Sequence, residues 1–296
     1  MGVPFEILID EWISFKSFSN KNLLSLMNDF EDGRWRYGKF LNFVWDNVKE
    51  TALSQRERVA LIGQESSLLS RAAKNLKIDK NGGEIAEILL YAIMRHYYNA
   101  LPVVPKIYYK QNTNDYAKGA DSVHIVLEQD ESFSIWFGEA KFYNSIESAR
   151  LDKIIQSVSE TLNSDKLKKE NSIIVNLSEI DFIPEISESR KSKIKETLSG
   201  NISLDLLKPT LHIPIVLLYQ FSEMRTWNSF GIAQKNLLIR HQKERANVYF
   251  EKQIEKCSKS IHLYSEIKFH LILFPVPDKE QIVGRFLNTA EILRNE

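Results

Sequence analysis

Hydrophobic and polar residues alternate over two neighbouring stretches, and a two-residue period predicts paired β-strands. In residues 121–127, Asp121, Val123, Ile125 and Leu127 share one face. In residues 133–141, Phe133, Ile135, Phe137, Glu139 and Lys141 share one face. A hairpin turning over residues 128–132 keeps apolar residues opposed when Leu127 pairs with Phe133, Ile125 with Ile135 and Val123 with Phe137. That register sets Asp121 opposite Glu139, with Cβ atoms about 5 Å apart. Lys141 follows two residues on along the same face.

The rest of the pattern places elements around this hairpin. Residues 5–9 read as a short strand, 22–30 as a short helix and 32–34 as a turn. Residues 35–50 read as loop then helix, with Trp35, Phe40, Phe43, Val44 and Trp45 bound for the core. Residues 54–75 read as helical, with Gly63 as a break. A helix starts at Asn81 and is apolar nearly all round after Glu87, which predicts burial. Glu84 stands three residues after Asn81, the spacing of a capping box. Glu87 lies among Ile85, Ala86, Ile88 and Leu89, where a carboxylate needs a partner or a metal. Residues 103–110 read as a strand with Pro105 at its start or on an edge. Residues 144–163 form an amphipathic helix with the stripe Leu151, Ile154, Ile155, Val158 and Leu162. Residues 172–177 read as a buried strand. From residue 81 the order is therefore helix, strand, strand, strand, helix, strand.

Further on, residues 191–198 read as a short helix, 212–219 and 268–274 as strands, and 243–261 as a charged amphipathic helix. Asp278 and Gln281 have capping-box spacing for a last helix running to about Arg294. The expected division is an N-terminal segment 1–53, facing a partner, and one α/β domain over 54–296. Within that domain the core spans 81–178, and the extension 179–296 adds strands and helices to the same sheet.

Composition narrows the chemistry. Lys+Arg and Asp+Glu both number 39, so a free-standing DNA binder with a basic surplus is disfavoured. The run Lys166, Lys168, Lys169 reads as a solvated helix end before it reads as a phosphate patch. The single cysteine, Cys257, excludes an intrachain disulfide and suggests a reducing, cytoplasmic setting. No apolar run is long enough to span a membrane. The six histidines show no metal-ligand spacing, and His124 alternates onto the face opposite Asp121. No glycine-rich phosphate loop and no Ser/His/Asp motif is present, so this chain is not expected to hydrolyse ATP.

Two opposed carboxylates repel unless a cation lies between them. Mg²⁺ or Mn²⁺ takes one or two carboxylates with water and phosphate oxygens, and Lys141 could orient a water or stabilise a transition state. Asp121, Glu139 and Lys141, with Glu87 (or Glu84) from the helix, therefore describe a metal-dependent phosphodiesterase site. Their spacing resembles the PD-(D/E)xK nuclease superfamily, with Gly119-Ala120 where that family's first motif carries a variable proline. The α-β-β-β-α-β order agrees with the superfamily's restriction-endonuclease-like α/β core.

Five segments in order carry a narrower resemblance: 83–91 (Gly-Glu-Ile-Ala-Glu-Ile-Leu-Leu-Tyr), 118–124 (Lys-Gly-Ala-Asp-Ser-Val-His), 136–142 (Trp-Phe-Gly-Glu-Ala-Lys-Phe), 212–219 and 269–278. Together they resemble the HamA-type proteins of the bacterial Hachiman anti-phage defence system, from about residue 54 to the C-terminus. The resemblance implies a DNase restrained by a HamB-type superfamily 2 helicase until infection or DNA damage releases it. It implies Asp121 and Glu139 as Mg²⁺ ligands, Lys141 as the residue positioning water, and Glu87 or Glu84 supporting the metal. The rival readings are an inactive nuclease-fold adaptor regulating a helicase and a stand-alone restriction or repair endonuclease.

Overall fold

Four parallel strands, each apolar enough to be covered on both faces, make the centre of the molecule. They belong to a seven-stranded mixed sheet in a computed structural model that describes residues 2–77, 80–110, 119–129, 132–168, 171, 179–199 and 202–295. The strands of this sheet are β1 (Glu6–Phe15), β2 (Phe18–Met27), β5 (Leu101–Val104), β6 (Ser122–Leu127), β7 (Phe133–Tyr143), β8 (Leu211–Gln220) and β9 (Lys268–Val276). Two short strands, β3 (Phe30–Glu31) and β4 (Arg34–Trp35), form a separate hairpin. Spatial order is β1-β2-β9-β8-β7-β6-β5. The run β2-β9-β8-β7 is parallel, while β1, β6 and β5 add antiparallel. The expected α/β class, a central mixed sheet extended by C-terminal strands and helices, is the architecture observed.

The β6–β7 register is the expected one. Leu127 pairs with Phe133, Ile125 with Ile135 and Val123 with Phe137. The Glu128 N–H donates to the Ser132 carbonyl at 3.0 Å and closes the hairpin.

Helices flank both faces: α1 (Tyr37–Ala52), α2 (Gln55–Ala60), α3 (Glu65–Asn75), α4 (Gly83–His96), α5 (Lys106–Lys110), α6 (Ser148–Thr161), α7 (Glu188–Leu198), α8 (Leu204–Leu207), α9 (Ile232–Cys257) and α10 (Lys279–Asn295). The break at Gly63 between α2 and α3 is present, with φ at +81°. The apolar stripe of α6 is buried as expected. Asp278 Oδ1 accepts the Gln281 N–H at 3.0 Å, so Asp278 caps α10. No helix among the described residues is long and apolar enough to cross a membrane.

Three expectations differ from the fold. Residues 22–30, expected as helix, belong mostly to β2. This strand lies between β1 and β9, and Asn20 through Met27 are buried on both faces, so the alternation that identifies a half-exposed strand is absent. The N-terminal strand also runs on to Phe15. Residues 103–110 are not one strand: β5 ends at Val104, and α5 begins after Pro105. Proline lacks the N–H a ladder needs but suits the approach to a helix. The expected strand at 172–177 lies outside the described residues. The neighbour of β7 is β8, with Glu139 beside Ile215 and Lys141 beside Leu217.

The N-terminal residues share the common core. Phe5 makes edge contacts to Phe43 and Phe274, linking the chain start, α1 and β9. Trp35, Phe40, Phe43, Val44 and Trp45 are all buried there, as their sequence pattern predicts.

Candidate functional site

Residues of β7 alternate between two differently packed faces. Gly138 faces α4, and a Cβ at that position would lie 2.3 Å from Ser122 Oγ and 2.7 Å from Leu90 Cδ2. Glycine is therefore required there by close approach. The next residue, Glu139, faces the opposite way, toward α6, where its Oε1 accepts a hydrogen bond from Thr161 Oγ1 at 3.2 Å. Glu139 is only 2% exposed.

Asp121 reaches the same place from the entry to β6. Its N–H donates to the Gly138 carbonyl at 2.8 Å, which continues the ladder one residue beyond the strand. Its Oδ2 accepts from the Ala140 N–H at 3.0 Å and from Lys141 Nζ at 3.0 Å. Lys141 Nζ also donates to Glu139 Oε2 at 3.3 Å. One ammonium thus bridges the two carboxylates that the hairpin register opposes, and its side chain keeps one-third of its surface in solvent.

The electrostatics follow from burial. Desolvation, then the negative charge of Asp121, pushes the Glu139 carboxyl well above the usual carboxylate range, although Lys141 pulls the other way. Desolvation opposes the charge on Lys141, but Asp121 and Glu139 together outweigh it and raise the lysine above its ordinary value. Lys141 is therefore a cation at neutral pH and a hydrogen-bond donor, not a base.

Asp121, Glu139 and Lys141 are brought together; the two helix carboxylates are not seen to join them. Glu87 is buried in α4, a helix that packs through Leu90 on the Gly138 face, the reverse of the face carrying Glu139. Among the described residues, no three His, Cys, Asp or Glu side chains are grouped to hold a metal ion. Glu84 does not form the expected capping box with Asn81. Gly82, at φ +70°, is the N-cap of α4 and offers no side chain, while Glu84 Oε1 accepts the Lys77 N–H at 2.5 Å. This bond ties the incoming chain to the first turn of the helix.

Other candidates fall into structural places. His124 is fully buried against the Tyr91 ring on the face away from Asp121. Cys257 is buried in α9. Lys166 pairs with Glu160 at 3.0 Å on an exposed helix end, while Lys169 lies outside the described residues. Thr161 and the Ala140 N–H escaped the sequence reading. Thr161 was within reach of it, because it falls three residues after Val158 on the buried stripe of α6.

The HamA family model matches residues 6–290, which include every residue of this cluster. No curated protein matches the chain.

Proposed function

The chain belongs to the HamA family, a component of the Hachiman anti-phage defence system, and from that premise we propose that it is the system's metal-dependent deoxyribonuclease. The observation that carries the reading is the Lys141 ammonium held between the Asp121 and Glu139 carboxylates on adjacent strands. Two acidic residues and a lysine on one sheet face are the minimum for phosphodiester hydrolysis assisted by a hard cation.

The donor set fits Mg²⁺ or Mn²⁺. Asp121 and Glu139 offer oxygen ligands at one end of a hairpin, and such ions complete their shells with water and phosphate. The upward shift at Glu139 shows that Lys141 alone undercompensates the buried negative charge. When bound, the cation would supply an activated water and charge neutralisation at the scissile phosphate.

The chain's own residues do the rest. Lys141, fixed as a cation, donates a hydrogen bond to the attacking water or to a non-bridging phosphate oxygen and stabilises the charge that develops. The Ala140 N–H holds Asp121 in orientation, and Thr161 does the same for Glu139. Water adds across the P–O3′ bond, leaving a 3′-hydroxyl and a 5′-phosphate. Zero net charge suits a subunit whose DNA is delivered by a helicase partner.

The test is degradation of plasmid DNA by the purified chain, alone and with its helicase, ATP and damaged DNA. We expect cutting with Mg²⁺, none with EDTA and none by Glu139→Ala/Lys141→Ala. Full phage protection by cells carrying that double variant would sink the catalytic reading.

A further inference from the structure

The parallel strands all end at one rim. There, β7 stops at Tyr143, β8 at Gln220 and β9 at Val276, so Lys141 lies two residues from the rim. The next residue, Phe142, accepts a hydrogen bond through its carbonyl from Lys279 Nζ at 2.8 Å. Lys279 opens α10, and its N–H is taken by the Gln220 side chain at 3.1 Å. Asp278 beside it pairs with Arg225 at 3.0 Å. A run of touching residues therefore leads from the carboxylate–lysine cluster to a cleft of about 530 Å³ behind the β3–β4 hairpin.

The cleft has a distinctive lining. Arg34, Arg225 and Arg285 supply three positive charges against the single acid Asp278. Phe30, Tyr37 and Trp227 are half-buried, with ring surface left open. Arg34 is exposed and has no acidic partner among the described residues. It is held in place by the tight turn at Asp32 and Gly33, both with positive φ (48° and 70°), a two-residue hairpin geometry for which glycine is suited. The Arg285 guanidinium lies 4.6 Å from the Tyr37 ring centre. Trp35, in the same wall, keeps a buried indole N–H with no acceptor among the described residues.

Guanidinium groups interleaved with open aromatic faces suit a chain that alternates phosphates and bases. We infer that this cleft holds a single DNA strand running along the rim from the candidate catalytic cluster, with phosphates on Arg34 and Arg285 and a base against Trp227. The inference rests on the nuclease reading for its substrate class. It also explains how a chain of zero net charge grips DNA: the basic surplus is local.

The experiment is fluorescence anisotropy of the full-length chain with a short labelled oligodeoxythymidylate, in EDTA and over a series of salt concentrations. Arg34→Ala/Arg285→Ala should weaken binding about tenfold at moderate salt and make the log–log salt slope shallower by roughly one. Trp227→Ala should weaken it about tenfold with the slope unchanged, because stacking releases no counterions, and Trp227→Tyr should restore most of the affinity. Three results would overturn the inference: no binding by the wild-type chain, unchanged affinity in the double arginine variant, or unchanged affinity in Trp227→Ala. Competition by thymidine 5′-monophosphate as effective, per nucleotide, as the oligomer would assign the cleft to a free nucleotide and overturn the strand. Binding in EDTA is read without cleavage. DNA cutting retained by Glu139→Ala would therefore remove the nuclease and leave the cleft, while full binding by the arginine variant would remove the cleft and leave the nuclease.

Discussion

Gly138 decides how closely α4 approaches the strand that carries Glu139 and Lys141. Its absent side chain leaves room for Ser122 Oγ and Leu90 Cδ2, both closer to an added Cβ than atoms pack. Gly138→Ala should therefore lower the stability measured by urea denaturation by roughly 1–3 kcal/mol. It should also reduce DNA cleavage while Glu139 and Lys141 remain in place. An unchanged denaturation midpoint would refute this packing role. At this scale the cluster was legible: strict alternation sets the register, and the register alone puts Asp121 beside Glu139 and Lys141. The helix carboxylates were not. The sequence marks Glu84 and Glu87 as costly or capping, but which way each points depends on the face α4 turns to the sheet.

Among the elements, β2 was the hardest to read, since a strand covered on both sides shows no period. It also carries Lys21, which is fully buried. Lys21 Nζ bonds to the Tyr264 hydroxyl and lies over the rings of Tyr264 and Phe269, at 4.1 and 3.9 Å from their centres. Burial nevertheless lowers its pKa to about 6. The sign follows from linkage. Above that value the folded lysine is neutral while the unfolded one stays charged up to its ordinary pKa, so the penalty grows as pH falls from about 10 toward 6 and is then constant. Lys21→Met should raise stability at neutral pH by about 1–4 kcal/mol and remove a rise in stability between pH 7 and 9. Denaturation at the two pH values checks both effects; a less stable variant would show that the ring faces and Tyr264 outweigh desolvation.

Across the whole molecule, three buried histidines couple the sheet to pH. His124 on β6, His212 on β8 and His270 on β9 lie in the core, and His212 Nδ1 and His270 Nε2 are 3.0 Å apart beside the Trp136 ring. Burial pushes His124 and His270 down to about 3 and His212 to about 2. Each stays neutral when folded but takes a proton near pH 6.5 when unfolded. Stability is therefore intact above that value and falls below it, by roughly 1.4 kcal/mol per pH unit for each histidine. Urea denaturation at pH 7.5, 6 and 5 should show this acid loss. His124→Phe should shrink it, because among the described residues neither ring nitrogen of His124 has a hydrogen-bond partner. A pH-independent stability over that range would refute the assignment.

By itself the sequence determined the α/β class, the β6–β7 register, the capped last helix and the three residues that meet at the hairpin end. All of these follow from short-range periodicity, in which neighbours along the chain dictate which side chains share a face. Only the tertiary structure decided that residues 6–27 enter the sheet, that β8 lies beside β7, that Glu87 belongs to the helix on the reverse face, and that arginines from three distant segments line one cleft. Those outcomes depend on contacts between residues far apart in the chain, and a local pattern that is apolar on every side cannot say which neighbour will cover it.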